Sequence, residues 1–150
     1  MIYGAGRIDG TTPAEHRQTV KRITKAFTKH LDRFDYIAVR GISGLMVGAP
    51  VSLAINKPLV VVRKPDEKCH STFKDAINGY AMNMRDVRKR RCVFLDDFRE
   101  TGNTERAVVE SVSGYGGYLV ATYLYQQTYG SRAGWHRVID HPERPLWSLS

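Results

Sequence analysis

Apolar residues recur at helical intervals in three stretches of the chain. The first stretch opens with Thr12-Pro13-Ala14-Glu15, which has the form of a capping box with proline at the first helical position. It predicts a helix over about residues 13 to 33 that buries a stripe of four side chains, Val20, Ile23, Phe27 and Leu31. Two further helices are predicted over residues 43 to about 56, where Lys57-Pro58 ends the pattern, and over residues 105 to 113.

Between these helices lie short runs that are apolar throughout. The four runs are Tyr36–Val39, Leu59–Val62, Val93–Leu95 and Tyr118–Tyr125. Strands without polar alternation, separated by helices, indicate a parallel sheet that is covered on both faces. The polar stretch from residue 63 to about 91 is long for a connection, so it is either a functional loop or partly helical. The tail after Gln127 shows no clear pattern.

Length and composition narrow the class of protein. At 150 residues the chain fits a single domain over residues 1–150, and its hydrophobic and charged fractions of 42% and 25% are ordinary for a soluble globular protein. No apolar run is long enough to span a bilayer and the N-terminus shows no signal pattern, so we expect a cytoplasmic protein without a membrane partner. Cys69 and Cys92 have no metal-ligand spacing and are expected to be free thiols.

The net charge of +8 indicates an affinity for anions. Charge alone leaves nucleic acid, a phosphorylated metabolite and an acidic partner open. The densest basic run, Arg85 to Arg91, is more typical of a solvated turn than of a binding patch, although it would also attract a polyphosphate or RNA.

Polar clusters follow three of the predicted strands at the ends where a parallel sheet binds its ligands. They are Arg40-Gly41, Arg63-Lys64 and the segment from Asp96 to Thr104. In the third cluster, the loop Thr101–Thr104 leads into a helix, so backbone N–H groups and threonine hydroxyls suit a phosphate. The adjacent carboxylates of Asp96 and Asp97 suit the hydroxyls of a sugar. Together they predict a ribose-5-phosphate site, with an acidic turn and a capped helix as the plain alternative.

The segment Cys92–Thr104, CVFLDDFRETGNT, resembles the phosphoribosyl-pyrophosphate motif of type I phosphoribosyltransferases. The resemblance holds over Cys92–Asp97 and Thr101–Thr104, whereas Phe98, Arg99 and Glu100 depart from the family pattern. YIAVRGISG resembles the family's pyrophosphate loop, and residues 48–65 are similar to the corresponding stretch of adenine phosphoribosyltransferases.

The resemblance implies the type I phosphoribosyltransferase fold, a central parallel sheet flanked by helices with a small C-terminal hood over about residues 127–150. It implies Mg²⁺-dependent transfer of phosphoribosyl from phosphoribosyl pyrophosphate to a nucleobase, in a homodimer. The implied phosphoribosyl-pyrophosphate ligands are Arg40, Gly41, Arg63, Lys64, Asp96, Asp97, Arg99, Thr101, Gly102, Asn103 and Thr104. Asp96 and Asp97 would also hold the metal, and Arg40 and Lys64 would stabilise the pyrophosphate leaving group. Residues from about 64 to 90 would form a mobile loop that closes over the site.

The acceptor is the least determined part of this prediction. Glu100 stands where oxopurine phosphoribosyltransferases have an acid/base residue, while residues 48–65 are similar to the adenine enzymes, so a purine is favoured without a choice between the two. Trp147 or Tyr129 in the tail is the candidate to stack on the base. The alternatives are a regulatory protein of this fold that senses the sugar pyrophosphate and binds nucleic acid, and an enzyme of this fold with a different acceptor.

Overall fold

The computed structural model describes residues 11–62, 91–114, 116–128 and 130–139. In chain order the elements are α1 (Pro13–Thr28), a 3₁₀ turn (Leu31–Arg33), β1 (Tyr36–Val39), α2 (Gly41–Ile55), β2 (Leu59–Val61), β3 (Arg91–Asp96), α3 (Asn103–Ser113), β4 (Tyr118–Leu124) and β5 (Gly134–His136). No helix among these residues is long and apolar enough to cross a membrane.

The strands form one sheet in the order β2-β1-β3-β4-β5. The first four strands in this order are parallel, which confirms the predicted α/β class, and β5 pairs antiparallel with β4. No sequence pattern predicted β5, because the strand has only three residues, and it lies inside the segment predicted to be a hood. Gly134–His136 therefore extends the central sheet, while residues 140–150 lie outside the described part of the chain.

Two apolar layers enclose the sheet. On one face, α1 and α2 pack over a cluster that includes Phe27, Val47 and Val51. On the other face, α3 contributes Val108 and Val112 to a second cluster. Strands covered on both sides must be apolar at every position, and this is why the sequence showed runs without alternation.

The first helix is shorter than the pattern predicted. Thr12 caps it as expected, since its hydroxyl accepts a hydrogen bond from the Glu15 N–H at 3.1 Å. The helix ends at Thr28 instead of residue 33. His30 leaves the helical conformation with φ −131°, and the chain tightens into the 3₁₀ turn that carries Leu31. The apolar spacing persists through this change of geometry, and so periodicity alone placed the end of the helix too late.

Helix α2 lies close against the sheet because two glycines face it. A Cβ atom on Gly44 would lie 3.1 Å from Val39 Cβ and 3.2 Å from the Leu95 carbonyl oxygen. A Cβ on Gly48 would lie 2.7 Å from Val39 Cγ1. Helix α2 begins where β1 ends, next to β3. From this pair of strands the chain continues in opposite directions along the sheet, from β1 to β2 and from β3 to β4. Such a point of reversal opens the crevice in which α/β proteins bind ligands.

Candidate functional site

Two helices begin at this edge of the sheet, and neither has a side-chain cap. Arg40 precedes α2 and Gly102 precedes α3, and neither of these N-cap residues gives its helix a side-chain hydrogen bond. The capped N-terminus of α1 shows what a purely structural helix start looks like in this chain. N–H groups without a partner at a helix N-terminus favour a bound anion. The site therefore offers two such positions.

A glycine in the left-handed conformation leads into each helix. Gly41 and Gly102 both have φ +83°, a value that other residues rarely adopt. A Cβ on Gly41 would meet nothing within 4 Å, so backbone conformation alone requires glycine there. A Cβ on Gly102 would lie 2.7 Å from Ile139 Cδ1, so Gly102 is required for space as well.

Asp96 and Asp97 lie at the end of β3, beside the start of α2. Both residues are buried, with 8% exposure each. Burial, and secondly the charge of Asp97, raises the pKa of Asp96 to about 8. Asp97 Oδ1 accepts a hydrogen bond from the Phe98 N–H at 2.8 Å, which fixes that carboxylate. Two buried oxygen-rich groups of this kind are poised to accept hydrogen bonds from ligand hydroxyls or to meet a cation.

The donor set is suited to Mg²⁺ only if a ligand completes it. Among the described residues no group of three or more His, Cys, Asp or Glu side chains could enclose a metal ion. Mg²⁺ is commonly held by one or two carboxylates together with phosphate oxygens and water. Asp96 and Asp97 match that pattern, because a cation between them would also offset the burial and the repulsion that together raise the pKa of Asp96.

Arg40 lies at the end of β1, next to β3. The register pairs Ala38 with Phe94, and its continuation by two residues brings Arg40 alongside Asp96. The Nε atom of Arg40 is buried and has no hydrogen-bond partner among the described residues. Because a buried donor without a partner costs free energy, this Nε atom is arranged to meet an acceptor that the described part of the chain does not supply.

The loop before α3 is braced from within. Thr101 Oγ1 accepts a hydrogen bond from the Asn103 N–H at 3.3 Å, and the Thr101 carbonyl accepts two from the Arg106 guanidinium, each at 3.3 Å. The predicted ligands Thr101, Asn103 and Thr104 are all exposed. Sequence reasoning missed Arg106, an exposed cation one turn into the helix beside Gly102. Its only signal was its place four residues after the glycine.

Arg99 has internal partners that the sequence analysis did not predict. Its Nη2 atom is 2.5 Å from Glu105 Oε2 and donates to the Arg137 carbonyl at 3.0 Å. Glu105 is 2% exposed and was also missed, since the sequence pattern shows only a carboxylate in the first turn of a helix. The Nη2 atom of Arg99 is thus directed to internal partners, whereas its Nε atom is buried without a hydrogen-bond partner among the described residues. The phosphate contact of Arg99 stays a prediction.

Two further residues flank the loop. Glu100 is exposed and forms no hydrogen bond within the described part of the chain. Ile139 is 41% exposed, although its side chain lies against Gly102. An exposed aliphatic side chain beside a polar loop supplies an apolar wall, which sequence reasoning did not identify.

Several predicted residues lie outside the described ranges. They are Arg63, Lys64 and Trp147, together with the loop from about 64 to 90 and the alternative stacking residue Tyr129. Arg63 and Lys64 directly follow Val62, whose N–H donates to the Val39 carbonyl at 2.8 Å beside Arg40. Their roles stay predictions.

The chain resembles phosphoribosyltransferases in both sequence and structure. It is 30% identical over 139 residues to the adenine phosphoribosyltransferase of Caldicellulosiruptor saccharolyticus, covering 84% of this chain and 78% of that protein. It is 34% identical over 97 residues to HGPRTase-like protein 1 of Haloquadratum walsbyi, covering 61% of this chain and 52% of that protein.

Among solved structures, adenine phosphoribosyltransferase from Saccharomyces cerevisiae, complexed with adenine and an imino-altritol bisphosphate, superimposes with a TM-score of 0.58. This match covers 93% of the chain and 80% of the yeast protein at 19% identity, so it shows the shared fold. No protein-family model matches the chain.

Proposed function

The chain belongs to the type I phosphoribosyltransferase family, and on that premise we propose that it transfers phosphoribosyl from phosphoribosyl pyrophosphate to a purine base. The observation that supports this most directly is the pair of uncapped helix N-termini on either side of two buried carboxylates. A substrate with a phosphate at one end, a pyrophosphate at the other and hydroxyls between them has the same order of chemical groups.

In this proposal the start of α3 holds the sugar phosphate. Backbone N–H groups after Gly102 and the hydroxyls of Thr101 and Thr104 donate to the 5′-phosphate, and Arg106 adds positive charge beside them. Asp96 and Asp97 accept hydrogen bonds from the ribose hydroxyls. These contacts place the anomeric carbon of the sugar between the two anion positions.

The start of α2 then receives the leaving group. When the bond from the anomeric carbon to pyrophosphate breaks, the electron pair stays with the pyrophosphate oxygen, and the N–H groups after Gly41 and the Arg40 guanidinium stabilise that charge. The predicted Lys64 would add a second cation. Mg²⁺ held by Asp96 and Asp97 with substrate oxygens would supply further positive charge.

The acceptor base completes the reaction by forming a bond from a ring nitrogen to the anomeric carbon and giving up its proton. Glu100 is exposed beside the loop and is the proposed proton acceptor, while Ile139 offers an apolar face for the base. We keep Trp147 as a predicted stacking partner. Names of relatives point to adenine in one case and to HGPRTase-like activity in another, so the proposal is restricted to a purine.

One assay tests the proposed activity. The protein is incubated with phosphoribosyl pyrophosphate, Mg²⁺ and, separately, adenine, hypoxanthine, guanine, xanthine or orotate, and both pyrophosphate and nucleotide are measured. We expect equal amounts of the two products with at least one purine and none with orotate. Omission of Mg²⁺ tests the metal. Absence of product with every base, together with tight salt-dependent binding of RNA or DNA, would instead favour the regulatory alternative.

We also propose a homodimer in which α2 contacts α2 of a second copy. The helix carries no charged residue, yet Ile42 is 72% exposed and Leu53 is 85% exposed. A protein with a net charge of +8 repels its own copies, and an uncharged apolar stripe is the surface on which that repulsion is least. Leu53→Glu should convert a dimer into a monomer in sedimentation experiments, whereas Glu110→Gln on α3 should not. A wild-type monomer would contradict the proposal.

The cytoplasmic location stays a prediction.

A further inference from the structure

One buried carboxylate joins three parts of the structure around the site. Glu105 Oε2 accepts hydrogen bonds from Arg99 Nη2 at 2.5 Å and from Thr122 Oγ1 at 2.6 Å. Its other oxygen, Oε1, accepts the Ile139 N–H at 2.7 Å. With 2% exposure, this side chain is removed from water and has at least three hydrogen bonds in place of it.

The partners of Glu105 lie on different walls of the site. Arg99 belongs to the loop between β3 and α3, which holds the sugar phosphate in the proposed function. Ile139 belongs to the segment after β5, and its side chain lies against Gly102. Arg99 also donates to the Arg137 carbonyl at 3.0 Å. The Arg99–Glu105 ion pair thus binds this segment at two backbone groups, the carbonyl of Arg137 and the N–H of Ile139. Thr122, on β4, anchors the pair to the sheet.

We propose that Glu105 and Arg99 are positioning residues that fix the acceptor wall, Arg137–Ile139, against the phosphate loop. This inference rests on the proposed function and adds to it the means by which the base is placed relative to the sugar. Without the pair, the Ile139 N–H and the Arg137 carbonyl would each lose the partner that orients them. The apolar face would then move relative to the anomeric carbon, and displacements of about 1 Å can reduce rates by a large factor.

A purely stabilising role is the alternative, and the chemistry of buried ion pairs separates the two. Replacing a buried pair by apolar residues of similar volume is often neutral or stabilising, because the cost of desolvating both charges disappears together with their attraction. An apolar replacement of this partly buried pair should therefore keep the fold, although the buried Thr122 hydroxyl loses its acceptor, while it removes the hydrogen bonds to Arg137 and Ile139. A small loss of stability with a large loss of purine binding would indicate positioning.

The test uses the double variant Arg99→Leu/Glu105→Met, with Glu110→Gln as a matched control because Glu110 is an exposed carboxylate on the same helix. We expect the double variant to unfold at a temperature no lower than about 5 °C below that of the wild type. Its KM for the purine should rise roughly tenfold, while its KM for phosphoribosyl pyrophosphate should change less than about twofold. Glu110→Gln should match the wild type in both constants.

Amide hydrogen exchange supplies a readout that does not depend on turnover. In the wild type, the Ile139 N–H should exchange slowly because it donates to a buried carboxylate, and in the double variant it should exchange at least tenfold faster. Unchanged exchange at Ile139, or equal increases in both KM values, would overturn the positioning role. A wild type that neither turns over nor binds phosphoribosyl pyrophosphate would contradict the proposed function instead, and the exchange result would still decide whether the pair holds the segment.

Discussion

Asp96→Asn combined with Asp97→Asn is expected to weaken the binding of phosphoribosyl pyrophosphate by at least a factor of about a hundred. Both side chains are proposed to accept hydrogen bonds from ribose hydroxyls once the bound Mg²⁺ has displaced the proton of Asp96, and such charge-assisted bonds contribute about 1.5–3 kcal/mol each. An amide keeps the shape of the side chain but loses the charge and one acceptor oxygen. Isothermal titration with phosphoribosyl pyrophosphate in the presence of Mg²⁺ measures the change.

The unfolding temperature, measured as a function of pH, distinguishes a loss of binding from a loss of folding. Because burial and Asp97 raise the pKa of Asp96 to about 8, the folded ligand-free protein keeps a proton there that the unfolded chain releases near its ordinary value of about 4. Between these two pKa values the folded state thus binds more protons than the unfolded state, and the contribution of Asp96 to stability falls as pH rises through that window. Asp96→Asn removes this dependence. Its unfolding temperature should fall less than that of the wild type between about pH 5 and pH 8.

The two measurements together decide the assignment. Folded variants that bind phosphoribosyl pyrophosphate as tightly as the wild type would remove the carboxylates from the sugar site. Glu110→Gln, which neutralises an exposed carboxylate on α3, is the control for the change in net charge and should alter neither binding nor the pH dependence.

Local signals in the sequence were enough to predict the parallel sheet. The apolar runs at β1, β3 and β4 matched the observed strands to within two residues at either end, since residues buried on both faces leave no room for polar alternation. Gly41 and Gly102, both among the predicted ligand residues, have the positive φ that favours glycine, while anion binding at either helix start stays a prediction. These features depend on residues close together in the chain, and the resemblance to the family added the identity of the ligand.

Contacts between distant segments could not be predicted in this way. Arg99 meets Glu105 and the Arg137 carbonyl, and Glu105 meets Thr122 and Ile139, over separations of up to 38 residues. From the sequence, a cation in a phosphate motif favours a phosphate contact, and only the packing of the tail against α3 gives it another partner. The short strand β5 was missed for the same reason, because its pairing with β4 decides its conformation more than its own residues do.

Arg40→Met should lower kcat roughly a hundredfold while leaving the KM for the purine close to that of the wild type. The Arg40 Nε atom is buried without an acceptor among the described residues, and β1 carries it to the edge where the pyrophosphate is proposed to depart. A donor aimed at developing charge stabilises the transition state more than the bound substrate, and loss of one such donor commonly costs a factor of about 10²–10³ in kcat. Steady-state kinetics with saturating purine measure the change.

Methionine retains much of the side-chain volume and leaves no buried donor, so Arg40→Met should fold at least as well as the wild type. Arg33→Met, at an exposed position just before β1 begins, removes the same charge at the opposite end of that strand and should keep full activity. An unchanged kcat in Arg40→Met would assign the leaving group to other residues, and the predicted Lys64 would be the next to replace. A rise in the KM for phosphoribosyl pyrophosphate with unchanged kcat would instead show that Arg40 binds the substrate and its transition state equally, contrary to the role proposed here.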